Sequence, residues 1–295
     1  LPISYVLWFS SERLAMINGL QMVAGGLGAL GATIPLQNAL SYTDWRGVFT
    51  GLAVITVFAS ICLWVFLPEN KRTDEKLPSL KLQLKEMGEV FRSRIFWDIA
   101  PLAAISQGAN MAINGLWMKP WLRDVAGLNS DNAAQLLFVM TLAFIGGFLT
   151  LGIIAERLSQ LFDIRPISIS VWGMTLFLFI QGTMIFGGFG SPLILVLLLG
   201  FFGTASVLVY AGYAQIFPKY LSGRVSTILN LLVFICAFIL QWGVGVIIEI
   251  WPATETGYAP ESYQAALGVL FLLQAAGLIW YFLSLKFSRK QGVLI

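Results

Sequence analysis

Eight stretches of this chain run for about 20 residues or longer with almost no ionisable side chain, and that pattern dictates the class of fold. They span 15–40, 46–67, 99–121, 132–155, 166–187, 191–216, 224–249 and 264–285. Only helices and closed barrels satisfy their backbone inside hydrocarbon, and a barrel would show short alternating segments instead. These runs are continuous, so the expectation is an all-α integral membrane protein with eight transmembrane helices. Turn signals separate the runs: Asp44-Trp45-Arg46, Pro68, Asn129-Ser130-Asp131, Gly187-Gly188 through Ser191-Pro192, Pro218, and Pro252 to Pro260. Residues 1–10 read as the tail of one further helix. Because the sequence opens at Leu1 within an apolar stretch, an N-terminal part of the natural protein is expected ahead of it.

Composition narrows the function. The chain is 58% hydrophobic and 11% charged, with a mean hydropathy of +0.81, whereas soluble domains carry about 25% charged residues. A water-soluble globule, a disordered chain and a nucleic-acid binder are thereby disfavoured, and the net charge of +3 is too small to attract a polyanion. The lipid bilayer is the first partner implied. There is no histidine, which removes imidazole-ligated metals and Ser-His-Asp catalysis. Cys62 and Cys236 lie far apart in apolar runs and read as buried thiols rather than a disulfide or metal pair. No cofactor and no metal are implied, and no cluster of acids, bases or metal ligands suggests an enzyme. No charged leader followed by a short apolar run marks a signal peptide.

Lys and Arg fall unevenly on alternate connections. One set holds Arg13, seven basic residues in 68–98, Arg157 and Arg165, Lys219 and Arg224, and Lys286, Arg289 and Lys290. The other holds only Arg46, Lys119 and Arg123. By the positive-inside rule the first set, with the C-terminus, is cytoplasmic. The longest connection, 68–98, is the seam: Leu80, Leu84, Met87 and Phe91 recur at helical spacing among Lys81, Lys85, Glu86 and Arg92, which suits an amphipathic helix at the membrane interface. The chain then divides into 1–67, the seam 68–98, and 99–295.

Two helices before a cytoplasmic seam and six after it resemble the major facilitator superfamily. Asp44-Trp45-Arg46 is similar to the family's short outer turn between helices 5 and 6, and Gly115-Leu-Trp-Met-Lys-Pro-Trp-Leu122 followed by Gly127 resembles the outer end of helix 7. Gly152-Ile-Ile-Ala-Glu156-Arg157-Leu158 resembles the second-half Gly-x-x-x-Asp-Arg loop motif, with Glu in place of Asp and no trailing Gly or Arg-Arg. The resemblance implies helices 5 to 12 of a twelve-helix bacterial inner-membrane transporter, with helices 1 to 4 absent from the sequence. It also implies a monomer that works by alternating access, two bundles rocking around a midplane site. Helices 7 and 10 would line the cavity, with helices 5, 8 and 11 at its sides.

Several residues are candidates for that site. Gln107, Asn110 and Asn114 fall at i, i+3, i+7, placing three amides on one helix face near Trp117. Such amides either hydrogen-bond between helices or contact a solute. Ser206, Tyr210 and Tyr213 share a face in the sixth run, and Asn230 and Gln241 lie in the seventh. Asn18 and Gln21 in the first run read rather as packing residues. In Gly25-Gly26-Leu-Gly28-Ala-Leu-Gly31, Gly28 and Gly31 share one face and Ala24 and Gly28 form a small-xxx-small pair, which suits close helix approach; the segment has neither the strand nor the Lys of a phosphate loop, nor the Gly-Pro pair of the family's antiporters. Gly152, Glu156, Arg157 and Arg224 form a candidate cytoplasmic gate; the resemblance implies that Glu156 sits near a helix start and accepts from its N–H groups or from Arg224. No ionisable residue lies at the centre of any run, and Asp98 and Glu249 sit at helix ends where water can solvate them. The expected function is secondary transport of a small organic solute, by proton- or ion-coupled uptake. Efflux of a drug or metabolite, and a transporter-like receptor without flux, are the alternatives.

Overall fold

The computed structural model describes residues 24–28, 30–31, 34–66, 79–187, 190–253 and 257–290. Among them every regular element is a helix. α1 covers Ile34–Tyr42, α2 Trp45–Phe66 and α3 Leu80–Arg92. α4, Arg94–Ala112, passes through a π-helical turn at Ile113–Trp117 into α5, Met118–Asp124. α6 spans Ser130–Phe162 and α7 Pro166–Phe186. α8, Pro192–Gly203, is joined by a 3₁₀ turn at Ala205–Val207 to α9, Leu208–Ile216. α10, Lys219–Ile248, and α11, Pro260–Lys290, complete the fold.

Local chemistry sets these ends. The Asn129 side chain accepts from the Asn132 N–H at 2.8 Å and starts α6. Pro166 and Pro192 occupy the first turns of α7 and α8, where a missing N–H costs nothing. α7 stops at Gly187, whose φ of 71° is readily adopted without a Cβ.

Six helices among the described residues are long and apolar enough to cross a membrane, against the eight expected. In the run 15–40, residues 15–23, 29, 32 and 33 lie outside the described residues, Asn18 and Gln21 among them. The run 99–121 forms α4, the π turn and most of α5, but Gln107, Asn110 and Asn114 dilute its hydropathy below that of the others. It stays out of lipid instead: Ala100, Leu102, Ala103, Ala109 and Ala112 are all buried.

α4 packs along α10 and α11, α8 lies between α6 and α7, and α7 also packs on α11. Close approaches rest on glycine. A Cβ at Gly108 would meet Cys236 Cβ at 2.9 Å, and one at Gly147 would meet Phe201 O at 2.5 Å. Two buried amides tie α7 to α11, with Gln274 Nε2 donating to Gln181 Oε1 at 2.5 Å and Gln181 Nε2 to Leu267 O at 3.2 Å. α1 reaches α6, whereas α2 buries none of its apolar window.

Four expectations change. Cys62 and Cys236 are free thiols but only half-buried. Asp98 is not solvated at a helix end; it is 3% exposed within the bundle, because α3 and its neighbours cover the start of α4. In the glycine-rich segment Gly26, rather than Gly28 or Gly31, makes the close contact, against Ile145 of α6. The amphipathic helix forms as α3, but Met87 and Val90 turn inward while Leu84 and Phe91 stay exposed.

Because Gly108 holds α4 against α10, Gly108→Val should cost about 1–3 kcal/mol by overpacking. The unfolding temperature in detergent should fall, while Gly146→Ala, which meets nothing within 4 Å, should leave it unchanged.

Candidate functional site

The π turn organises the middle of the bundle. In a π turn one carbonyl loses its usual α-helical donor, and such bulges cluster at functional positions. Here Gln241 Nε2 reaches from α10 to donate to Met111 O at 3.2 Å, and Trp117 Nε1 donates back to Gln241 O at 3.0 Å. Gly245 leaves room for the Trp117 ring, 3.2 Å from where a Cβ would stand. Gln241 and Trp117 are thus brought together, locking the π turn to α10.

The three amides of the third run do not share one open face. Asn110 is 3% exposed and packs its side-chain amide against Gly203 of α8. Gln107, Met111 and Asn114, spaced i, i+4, i+7, are half-buried. The stripe therefore divides, with Asn110 turned into the bundle and Gln107 and Asn114 on its rim. The Oγ of Ser106, Oε1 of Gln107, Oδ1 of Asn110 and Oγ of Ser206 are buried with no hydrogen-bond partner in the described structure. α4 packs on the 3₁₀ turn that carries Ser206. That turn is held from α7, where Ser170 Oγ donates to Ala205 O at 2.7 Å.

The face proposed for Ser206, Tyr210 and Tyr213 is also split, because the 3₁₀ turn changes the helical phase after Ser206. Ser206 is 1% exposed. Tyr213 is sealed in the core: its hydroxyl donates to Phe96 O at 2.6 Å and its ring stacks on Phe96 at 5.5 Å. That placement makes it a pin between α9 and α4. Tyr210 is half-buried, and its hydroxyl lies 3.4 Å from Asn230 Oδ1 on α10.

The proposed gate is rearranged at the end of the bundle that carries most Lys and Arg. α6 continues to Phe162, so Gly152, Glu156 and Arg157 lie inside it and Glu156 is not at a helix start. Gln160 Nε2 donates to Glu156 at 3.3 Å. Arg224 pairs instead with Glu86, Nε to Oε2 at 3.0 Å, and Tyr220 donates to Glu89 at 3.3 Å. The reason is α3, which lies on the first turns of α10 and brings its own carboxylates there. Gly152, Ala155, Glu156, Ser159, Leu208 and Gln215 help line a cavity of about 400 Å³ between α6 and α9.

The opposite end carries two polar clusters that sequence reasoning missed. Gln37 of α1 bridges two partners: Lys119 Nζ donates to its Oε1 at 3.2 Å, and its Nε2 donates to Asp131 at 2.6 Å. The Asp124 side chain is 1% exposed. It accepts from Tyr263 Oη at 2.6 Å, from Tyr258 N–H at 3.1 Å and from Arg123 at 2.5 Å. Burial alone would push its carboxyl up, but these donors outweigh burial and hold it below the usual carboxylate range. Asp124 beside Arg123 was the only sequence signal; nothing in sequence ties Gln37 to residues more than 80 positions away.

Residues 4–239 match the family model of the Major Facilitator Superfamily. The chain belongs to that superfamily. It is therefore a membrane transporter. No curated protein matches it. Among the described residues of this transporter, no group of His, Cys, Asp or Glu side chains is arranged to hold a metal ion.

Two outcomes test this arrangement. Stability of the solubilised transporter should show coupling between Glu86→Gln and Arg224→Gln, about 1 kcal/mol for a partly buried pair. Glu156→Gln and Arg224→Gln should add within about 0.5 kcal/mol. Because the native pKa of Asp124 is lowered, its contribution is complete above the unfolded value of about 4 and fades as pH falls through the native one. Asp124→Asn should lower the unfolding temperature near neutral pH and flatten its fall in acid, measured against the unmodified protein.

Proposed function

We propose that this transporter moves a small, uncharged organic solute by alternating access, coupled to a proton or ion, in the direction of uptake. The observation that supports the reading is the π turn that Gln241 and Trp117 lock to α10; Gln107 and Asn114 are half-buried on the same helix line, and the separate Tyr210–Asn230 pair joins α9 to α10. Amides, an indole and a phenol offer both donors and acceptors without net charge, which suits a neutral polar solute. Asn110, Ser206 and Tyr213 support the helices that carry this set.

The Gln37 bridge supports alternating access, since it links α1 to α5 and α6. In this reading 1–67 belongs to one bundle, 99–295 forms the other, and 68–98 connects them. The Lys- and Arg-rich end and the C-terminus face the cytoplasm of a bacterial inner membrane, and the protein acts as a monomer. The cavity beside Gly152 and Glu156 is then a cytoplasmic opening.

Full-length protein in proteoliposomes, offered a panel of neutral polar solutes, should accumulate one of them under a proton or sodium gradient and lose accumulation when the gradient is collapsed. Asn114→Leu and Gln241→Leu should each lower that uptake about tenfold, as expected for a lost hydrogen bond of about 1.4 kcal/mol. Unchanged uptake kinetics in both variants would remove the proposed site, and binding without flux would make the protein a receptor.

A further inference from the structure

Helix α3 presents four chemically different sides. One side packs into the bundle through Met87 and Val90, Val90 being 0% exposed. The next carries Glu86 and Glu89, committed to Arg224 and Tyr220 of α10. These contacts fix the roll of the helix. At about 100° per residue, Leu84 and Phe91 then fall beside the buried side, and they are 59% and 41% exposed. Lys81, Lys85 and Arg92 follow as one exposed stripe on the side away from the bundle. No ion pair in the described structure engages any of these three cations.

The level of the helix is marked independently. Trp97 Nε1 donates to Phe91 O at 2.8 Å, and the half-exposed Trp280 donates its Nε1 to Trp97 O at 2.8 Å. Indoles that are apolar on one side and hydrogen-bonded on the other concentrate at the membrane–water boundary. An apolar stripe beside a basic stripe, at the height of two such indoles, matches a leaflet of anionic lipid: acyl chains for Leu84 and Phe91, phosphates for Lys81, Lys85 and Arg92. A soluble acidic partner would meet the cations but leave Leu84 and Phe91 uncovered.

We propose that α3 is a binding surface for anionic phospholipid headgroups, anchoring the connecting helix to the leaflet on one side while Glu86–Arg224 anchors it to α10 on the other. The leaflet concerned rests on the orientation proposed above. The binding itself does not, because nanodiscs present the same lipid to both faces.

The test uses full-length protein in nanodiscs of phosphatidylcholine and phosphatidylglycerol, extracted and weighed by native mass spectrometry. The unmodified protein should retain phosphatidylglycerol over phosphatidylcholine. Combined Lys81→Gln, Lys85→Gln and Arg92→Gln should lower that preference at least fivefold, since each basic residue near an anionic surface contributes a factor of about five. Arg165→Gln with Lys286→Gln, basic positions elsewhere on that end, should lower it by a clearly smaller factor. Leu84→Ser with Phe91→Ser should lower retention of both lipids. Lys81→Gln alone provides the reading if the triple variant does not fold, with a smaller fall in the same direction. Equal retention of the two lipids, an unaltered preference in the Lys81, Lys85 and Arg92 variants, or an equal fall in the control would overturn the proposal. So would displacement of phosphatidylglycerol by inorganic phosphate, which would show an anion site indifferent to lipid.

Discussion

Hydrocarbon supplies no hydrogen bonds, so the polar groups inside this bundle depend on the protein for their partners. That constraint falls hard on α4, which carries Gln107 and Asn110 and is largely enclosed. Its neighbours are furnished accordingly. Gln241 satisfies Met111 O and Tyr213 satisfies Phe96 O, while Gly203 only leaves room for the Asn110 amide. The same demand explains the paired Gln181 and Gln274 between α7 and α11. Each such bond is worth only about 0.6–2 kcal/mol, so their effect is to choose one helix register over others rather than to drive assembly.

Two helix irregularities adjoin α4. The π turn at Ile113–Trp117 follows directly on α4, and the 3₁₀ turn at Ala205–Val207 packs against α4 itself. Ser170 and Gln241 tie their carbonyls to third helices, so neither break is a loose hinge. Between them lie the buried oxygens of Ser106, Asn110 and Ser206 without a partner. A fully satisfied interface would be rigid; this one retains unspent hydrogen-bonding capacity where the helices already depart from regular geometry.

The two ends of the bundle are closed by different chemistry. At one, Asp124 gathers Arg123, the Tyr258 N–H and Tyr263 around a buried carboxylate, joining α5 to the start of α11. At the other, partly exposed pairs hold α3 on α10. The first is desolvated and strongly directional; the second is softer and open to salt.

Sequence by itself determined the membrane class, the limits of most spans and the amphipathic seam helix, because apolar run length and proline punctuation act locally. It also determined which residue types were available to a site. It could not determine which of them face one another. Gln107, Asn110 and Asn114 are evenly spaced on an ideal helix, but the π turn and the fit of Asn110 to Gly203 separate them. Glu156 and Arg224 suit one another in charge, but α3 places Glu86 closer. Tyr213 and Tyr210 look alike in sequence and end in opposite surroundings. Helical phase, and the choice among several equivalent charge partners, are settled by packing between segments distant in sequence, such as Arg224 and Glu86, so only the tertiary structure decided them.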